Sequence, residues 1–408
     1  MSRVVVIGGG ASGLTAAIAA ARAGAAVTVL EQNERPGKKL LASGNGKCNL
    51  TNLQLQAERY DCDSPDFLNK CLLRFTVEDT LSFFSDLGLE TRDRNGWVYP
   101  VTDQASSVLQ LLLMEAERLH VRVKTREKAE TVLLQDRAEE ARFLIKTRSW
   151  SYPADSVVIS CGSPASSVHG SCDDGLRIAE GIGISSAPFL PALVPLKLKG
   201  KPPKKWTACR TYGTVTLLVN GREAGEDTGE IQLTENGISG IPVFQISREA
   251  VCAADRGLKT EIRLNLMPGR TSGETAALLR ERHERHPHQD LRELLTGLLP
   301  DRIIAMVCAA DGGSSPAGRA SFDRTADLLC GMILPIQGPA SAGQAQICSG
   351  GVLLKELTEN LESRKQRGVY FAGETLNVAG PCGGYNLQWA WTSGMIAGSA
   401  AGGNACFC

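Results

Sequence analysis

The chain is short of aromatic residues: Trp, Tyr and Phe make up 5% of its 408 positions. That argues against a nucleic-acid reader built on stacking platforms. Net charge is also lacking, with 44 Lys and Arg against 44 Asp and Glu. No bulk field favours nucleic acid or an anionic membrane, so neither is expected as a partner. No uninterrupted apolar run approaches the roughly 20 residues of a membrane span, and no membrane insertion is expected. The N-terminal apolar stretch runs into a glycine-rich turn with no cleavage-type boundary, so no signal peptide is expected. Cysteine is plentiful, at 13, but unpatterned. No CxxC pair and no zinc-ligand spacing occur, and the count is odd. Reduced, mostly buried thiols in a cytoplasmic protein are expected, with no metal. Cys406 and Cys408, at the tail, have no evident role.

A chain of 408 residues exceeds the usual size of one hydrophobic core, so two or three domains are expected. Arg3 to Ile7 is a β-branched run without polar alternation, as for a buried parallel strand. A glycine turn follows, then an Ala-rich helix from Leu14 to about Ala23, then a strand from Val27 to Leu30. That is one βαβ unit. Asp66 to Leu87 and Ala105 to Leu119 have helical spacing, and Ser156 to Ser160 reads as another buried strand. After about Pro188 the texture changes. Pro191, Pro195, Pro202 and Pro203 punctuate a linker-like passage. Strand-like segments follow at Thr214 to Val219, Glu230 to Leu233 and Thr260 to Met267, then a charged helical stretch from Ser272 to Leu299. His283, His286 and His288 cluster there, but Pro287 breaks the helix and no carboxylate completes a metal site. Near Gly350 the first texture returns, with a short strand from Gly368 to Gly373 and a helix from about Leu387 to Ala400. The C-terminus therefore rejoins the first domain around an insert of about 150 residues.

The motif with the clearest chemistry is Gly8-x-Gly10-x-x-Gly13. Gly8 permits the tight turn, Gly10 lets the backbone approach a pyrophosphate, and Gly13 lets helix and strand pack closely. The helix N-terminus adds unpaired N–H groups and a positive dipole end. Glu31 ends the second strand, placed to accept ribose hydroxyls. An acid there disfavours a 2′-phosphate, so FAD or NAD is expected rather than NADP. The strand ending in Ala372-Gly373-Glu374 supplies the second contact usual in two-dinucleotide-fold flavoproteins, which selects FAD. A third motif runs from Pro36 to Asn52 and is dense in Gly, Ser, Asn and Lys, able to offer N–H groups and cations to phosphate and flavin.

These segments occur with Gly96 to Ser106, Gly229-Glu230, Thr234, Gly237 to Pro242, Gly350-Gly351-Val352 and Gly383 to Ala390. Together they closely resemble the bacterial BaiN-type FAD-dependent oxidoreductases, a family also described as aminoacetone oxidase-like or 3-dehydro-bile-acid Δ4,6-reductase-like flavoproteins. The resemblance runs along essentially the whole chain. It implies an α/β fold: a discontinuous Rossmann-like FAD domain of the two-dinucleotide-fold type (1–190 and 347–408), an inserted mainly β domain (191–268 and 331–346) and a helical subdomain (269–330). Carried over position by position, it implies FAD contacts at Gly8, Gly10, Ala11, Ser12, Gly13, Glu31, Gln32, Lys38, Lys39, Ser43, Gly44, Gly46, Cys48 and Asn49. It implies further contacts at Ala129, Cys161, Gly162, Gly373, Glu374, Gly383, Gly384, Tyr385, Asn386 and Leu387. The chain departs from the family pattern at Lys47, at Ser160-Cys161-Gly162-Ser163, at Leu233 to Asn236 and at Ser349.

In such an enzyme the cofactor carries the hydride chemistry. Reduction of a C=C conjugated to a carbonyl also needs a donor at the oxygen and an acid for the α-carbon. Tyr385 is the leading candidate for proton donor, with Cys48 and Asn386 behind it. No second GxGxxG occurs, and Asp311 to Ser315 precedes no evident helix of that kind. NADH or NADPH, as transient reductant of the flavin, is expected to bind without its own Rossmann domain. The expected function is reduction of a small enone, steroidal or other. The alternatives are an FAD amine oxidase releasing hydrogen peroxide and a flavin-binding redox sensor.

Overall fold

A computed structural model of the chain describes residues 1–135, 141–166, 170–202, 206–310 and 319–403, without the side chains of 319–321. Pro203, Asp311 to Ser315, Cys406 and Cys408, singled out above, lie outside the described residues. Two compact units form, one from Met1–Phe189 with Ile347–Cys408 and one from Leu190–Gln346.

In the first unit, β1 (Arg3–Ile7) leads through α1 (Ala11–Arg22) to β2 (Ala26–Glu31). Arg122–Thr125 is β3, Ser156–Ile159 is β4 and Val369–Phe371 is β5. They form a sheet in the order β5-β4-β1-β2-β3, every pair parallel. Val4, Val5, Val6 and Ile7 are all at most 4% exposed, so the run without polar alternation is a strand covered on both faces. The last helix, α2 (Tyr385–Ala401), lies against α1. Glycines make that crossing close: a Cβ on Gly394 would stand 2.6 Å from the Ser12 carbonyl oxygen, and one on Gly398 would overlap that of Ala16. The C-terminal segment thus completes the sheet with β5 and covers α1 with α2.

The stretch read as one helical region from Asp66 to Leu87 is two helices, Pro65–Arg74 and Val77–Asp86. Thr76 separates them by capping the second: its hydroxyl accepts from the Asp79 N–H while Asp79 accepts from the Thr76 N–H. Besides the antiparallel pairing of Asp61–Cys62 with Val378–Ala379, two small three-stranded antiparallel sheets belong to this unit among the described residues. One pairs Ala129–Leu134, Phe143–Thr147 and Ser151–Ala154. The other pairs Thr51–Asn52, Trp97–Pro100 and Thr91–Arg94.

The second unit holds a closed six-stranded barrel, whose strands run in the order Leu196–Leu198, Gly237–Ser239, Arg222–Leu233, Cys209–Val219, Thr260–Asn265 and Met332–Pro339. Two of these strands are much longer than the sequence segments suggested, because Gly213, Gly225 and Gly229 lie within paired backbone rather than ending it. The helix Ile241–Asp255 buries Val243, Ile246, Ala250 and Val251. Four further helices, Ser272–Arg285, Leu291–Leu295, Asp301–Ala310 and Arg319–Gly331, belong to the same unit. His286 and His288 meet edge to face, and His283 lies against Phe322. Among the described residues no group of three or more metal-binding side chains forms. No helix of the described residues is long and apolar enough to cross a membrane.

Candidate functional site

The glycine turn after β1 is fixed by close approach. Gly8 has φ +104°, and a Cβ there would stand 2.5 Å from the Ser160 carbonyl oxygen at the end of β4. A Cβ on Gly13 would overlap the Gly8 carbonyl. Gly10 differs: a Cβ there meets nothing within 4 Å, so the backbone faces open space. Gly10 is the N-cap of α1, without a side-chain cap and with no acid in the first turn. The first-turn N–H groups, including those of Ala11 and Ser12, therefore point to an anion's place at the positive helix end.

Glu31 ends β2 and is 7% exposed. One of its oxygens accepts from the Gly9 N–H at 2.9 Å, and the other from Asn33 N and Nδ2, each at 2.8 Å. The carboxylate so held retains lone pairs for ribose hydroxyls. Gln32 is less available, because its amide nitrogen already donates to the Gly170 carbonyl at 2.6 Å and to Cys172 Sγ at 3.3 Å. Ala129 opens a strand beside Lys128, whose ammonium pairs with buried Asp174 at 2.8 Å.

The C-terminal Ala-Gly-Glu turn meets the same place. A Cβ on Gly373 would overlap Ser12 Oγ, so this turn sits on the first turn of α1. The Gly373 N–H donates to Ser393 Oγ at 2.9 Å, and its carbonyl accepts from Trp389 Nε1 at 3.2 Å. Glu374 Oε2 accepts from Lys39 Nζ at 2.5 Å. Glu374 Oε1 is buried with no partner among the described residues. A buried carboxylate oxygen without a donor is costly, and the hydroxyls of a ribityl chain are donors of the kind it lacks. Beside it, Gly162 at φ +79° donates its N–H to Thr375 Oγ1 at 3.0 Å. Lys38, by contrast, faces Glu34 at 3.7 Å, four residues back in the chain.

The third motif turns through left-handed backbone at Gly44, Asn45, Gly46 and Cys48, with φ between +56° and +83°. Ser43 Oγ donates to the Leu40 carbonyl at 2.6 Å. Asn49 links this loop to the C-terminal turn: with its amide nitrogen toward the Thr51 and Val98 carbonyls, its oxygen accepts from the Gly384 N–H at 3.2 Å. Asn52 Nδ2 donates to the Gly383 carbonyl at 2.8 Å. Gly383 and Gly384, at φ +107° and +90°, lead into α2, which has neither a side-chain cap nor an acid in its first turn. A second open helix N-terminus, with the Tyr385, Asn386 and Leu387 N–H groups, thus borders this loop.

The three side chains expected to act on protons are committed elsewhere. The Tyr385 ring is 1% exposed and its hydroxyl donates to the Gln54 carbonyl at 3.2 Å. Asn386 closes its own loop: its oxygen accepts from Gly380 N at 2.8 Å and its nitrogen donates to the Gly380 and Pro381 carbonyls at 2.9 and 3.3 Å. Cys48 is fully buried, and burial pushes its thiol up to about 12. Burial likewise pushes Cys161 up to about 12, so both stay neutral thiols. What the sequence reading passed over is the polar support from Thr375 and Ser393, which hold the turns by hydrogen bonds to Gly162 and Gly373.

The model of the HI0933-like protein Rossmann domain matches residues 2–400. The chain belongs to the HI0933-like family. It is similar, at 41% identity over 98% of its length and 99% of the other's, to a 3-dehydro-bile acid Δ(4,6)-reductase of Clostridium scindens. Membership in this family bears out the resemblance drawn from the motifs and makes the chain an FAD-dependent oxidoreductase. A ribosomal RNA dihydrouridine synthase of Escherichia coli is 27% identical over 95% of each chain, and one of Haemophilus influenzae 26% over 96%. A solved 3-ketosteroid Δ1-dehydrogenase of Sterolibacterium denitrificans is 13% identical with a TM-score of 0.51, covering 98% of this chain and 100% of that one, and shares the fold.

Proposed function

We propose that this HI0933-like family member is a reductase that saturates a C=C bond conjugated to a ketone, in a steroid- or bile-acid-like or other enone substrate, with NADH or NADPH as the transient reductant. The observation that carries the reading is the 41% identity, along 98% of the chain, to a 3-dehydro-bile acid Δ(4,6)-reductase. The site chemistry supports it. The first turn of α1 and Glu31 suit the pyrophosphate and adenosine ribose of FAD. Lys39, Glu374 and Gly162 suit the ribityl chain, with Glu374 Oε1 awaiting a donor. The Ser43 to Asn49 loop and the first turn of α2 suit the isoalloxazine. Bound FAD supplies the hydride of such a reduction. The protein's own residues bind, orient and exclude water, and the positive end of α2 stabilises negative charge placed against it.

Two rRNA dihydrouridine synthases at 26–27% identity favour a second substrate, a uracil base in RNA. Saturating uracil to dihydrouracil is again reduction of a C=C conjugated to a carbonyl, so the reaction class is shared and the substrate differs. This pulls against the expectation of no nucleic-acid partner drawn from charge and aromatic content.

The test is anaerobic reduction of the flavin with NADH or NADPH, followed by 3-oxo-Δ4 steroids, other enones, unmodified rRNA or oxygen as reoxidant. Steroid or enone turnover is the expected result. Turnover with rRNA alone selects the second substrate. Rapid reoxidation by oxygen alone, with reduction driven by amines, would remove the reductase reading.

A further inference from the structure

With Tyr385 and Asn386 committed to hydrogen bonds and Cys48 buried as a neutral thiol, the proton that enone reduction requires needs another source. One face of the hairpin formed by Thr91–Arg94 and Trp97–Pro100 offers it. Side chains alternate along a strand, so Trp97 and Tyr99 share a face. Arg94 pairs with Trp97 in register and Arg92 with Tyr99, which puts both arginines on that face too. This face lies against both loops assigned to the isoalloxazine. A Cβ on Gly44 would stand 3.7 Å from Tyr99 Cε1, and a Cβ on Gly383 would stand 2.9 Å from the Trp97 ring.

Tyr99 differs from Tyr385 in two ways. It is partly exposed, not sealed in the core. Among the described residues its hydroxyl meets no hydrogen-bonding partner. The Arg94 guanidinium lies 5.3 Å from its ring centroid, and Arg94 and Arg92 both pair with Asp103. The ring is thus held by a cation over its face while the hydroxyl stays uncommitted.

We infer that Tyr99 is the proton donor of the reduction, a role that rests on the enone reading above. The substrate's β-carbon receives hydrogen and two electrons from the reduced cofactor, which ends oxidised. The charge that develops over the α-carbon and carbonyl is quenched as a C–H bond forms at the α-carbon and the Tyr99 O–H bond breaks. The phenolate regains its proton from water, to which the partly exposed ring has access. Burial raises the Tyr99 hydroxyl above its usual range, Arg94 opposing and Asp103 and Cys48 adding to it, so the proton is present at neutral pH.

The experiment compares wild-type and Tyr99→Phe holoenzyme. The first readouts are FAD content and the change in the oxidised flavin's spectrum on titrating 4-androstene-3,17-dione. Both are expected to match wild type within about twofold, since phenylalanine keeps the ring and loses only the hydroxyl. The second readout follows anaerobic photoreduction, which needs no nicotinamide: reoxidation by the steroid is expected to slow at least about 100-fold, within the range of general-acid contributions. Reoxidation of Tyr99→Phe at the wild-type rate overturns the assignment, and so does loss of steroid binding with an unchanged rate at saturation. Failure of photoreduced wild type to react with any enone overturns the enone reading instead, and the proton-donor role falls with it.

Discussion

Lys39 Nζ and Glu374 Oε2, 335 positions apart in the chain, stand 2.5 Å from one another. The pair joins the third motif to the C-terminal Ala-Gly-Glu turn, and it leaves Glu374 Oε1 buried and unpartnered among the described residues. Removing the acid removes a partner of the lysine and the oxygen held ready for a ligand hydroxyl. Glu374→Ala is expected to weaken FAD about 10- to 100-fold, about 1.4–3 kcal/mol, as read by flavin fluorescence titration of the apoprotein. Unchanged affinity would show that the cofactor does not use this carboxylate.

Glu31 organises the other end of the site through Gly9 N and Asn33. Glu31→Gln keeps the shape but turns one acceptor into a donor facing N–H groups. The expected outcome is FAD binding at least about tenfold weaker, with the fold retained by circular dichroism.

The contact of α1 with α2 depends on Gly398, where a side chain would overlap the Ala16 carbonyl. Gly398→Val is expected to destabilise the protein by at least about 1–3 kcal/mol, measured by urea unfolding, because backbone and not a mobile side chain must move. A neutral result would mean that the crossing is looser than described.

Glu115 is a buried carboxylate held by Arg118 at 2.6 Å and Arg22 at 2.7 Å. The hydrogen bond from Arg118, opposed by burial and reinforced by Arg22, lowers its pKa from the ordinary 4.5. A depressed folded pKa gives stability that is present above 4.5 and lost as pH falls through the lower folded value. Glu115→Gln is expected to cost about 1 kcal/mol at pH 7, and the difference from wild type is expected to shrink on acidification below 4.5. Equal destabilisation at both ends of a pH series of melts would show that charge is not the cause.

Cys48 and Cys161 are neutral thiols at working pH, each pushed up to about 12 by burial. Alkylation by iodoacetamide at pH 8, followed by peptide mass spectrometry, is expected to spare both in the folded protein and label both after denaturation. Fast native labelling of Cys48 would return it to consideration as a reacting group.

The glycine turn, its helix and Glu31 were legible because each depends on neighbours a few residues away: a β-branched run, a turn with left-handed backbone at Gly8, an Ala-rich helix. The barrel was only partly legible. Its longest strands carry glycines and charged residues that read as interruptions, and pairing across the barrel overrides that local signal. The direction of the Tyr385 side chain was not legible, for a related reason. Its motif borders the Ser43 to Asn49 loop, but its side chain points into the core, toward Gln54 and Tyr60. Residue type and motif do not reveal the direction of a side chain.

By itself, then, the sequence determined the nucleotide-binding turn, the acid that ends β2, the Ala-Gly-Glu strand and the family they mark. Those depend on local backbone geometry, which short stretches of residues encode. The tertiary structure decided which side chains are committed and which stay available. It joined Lys39 to Glu374, sealed Tyr385 and Cys48, and left Tyr99 partly open beside Arg94. Burial and hydrogen-bond satisfaction are set by residues hundreds of positions away, so no local pattern can report them.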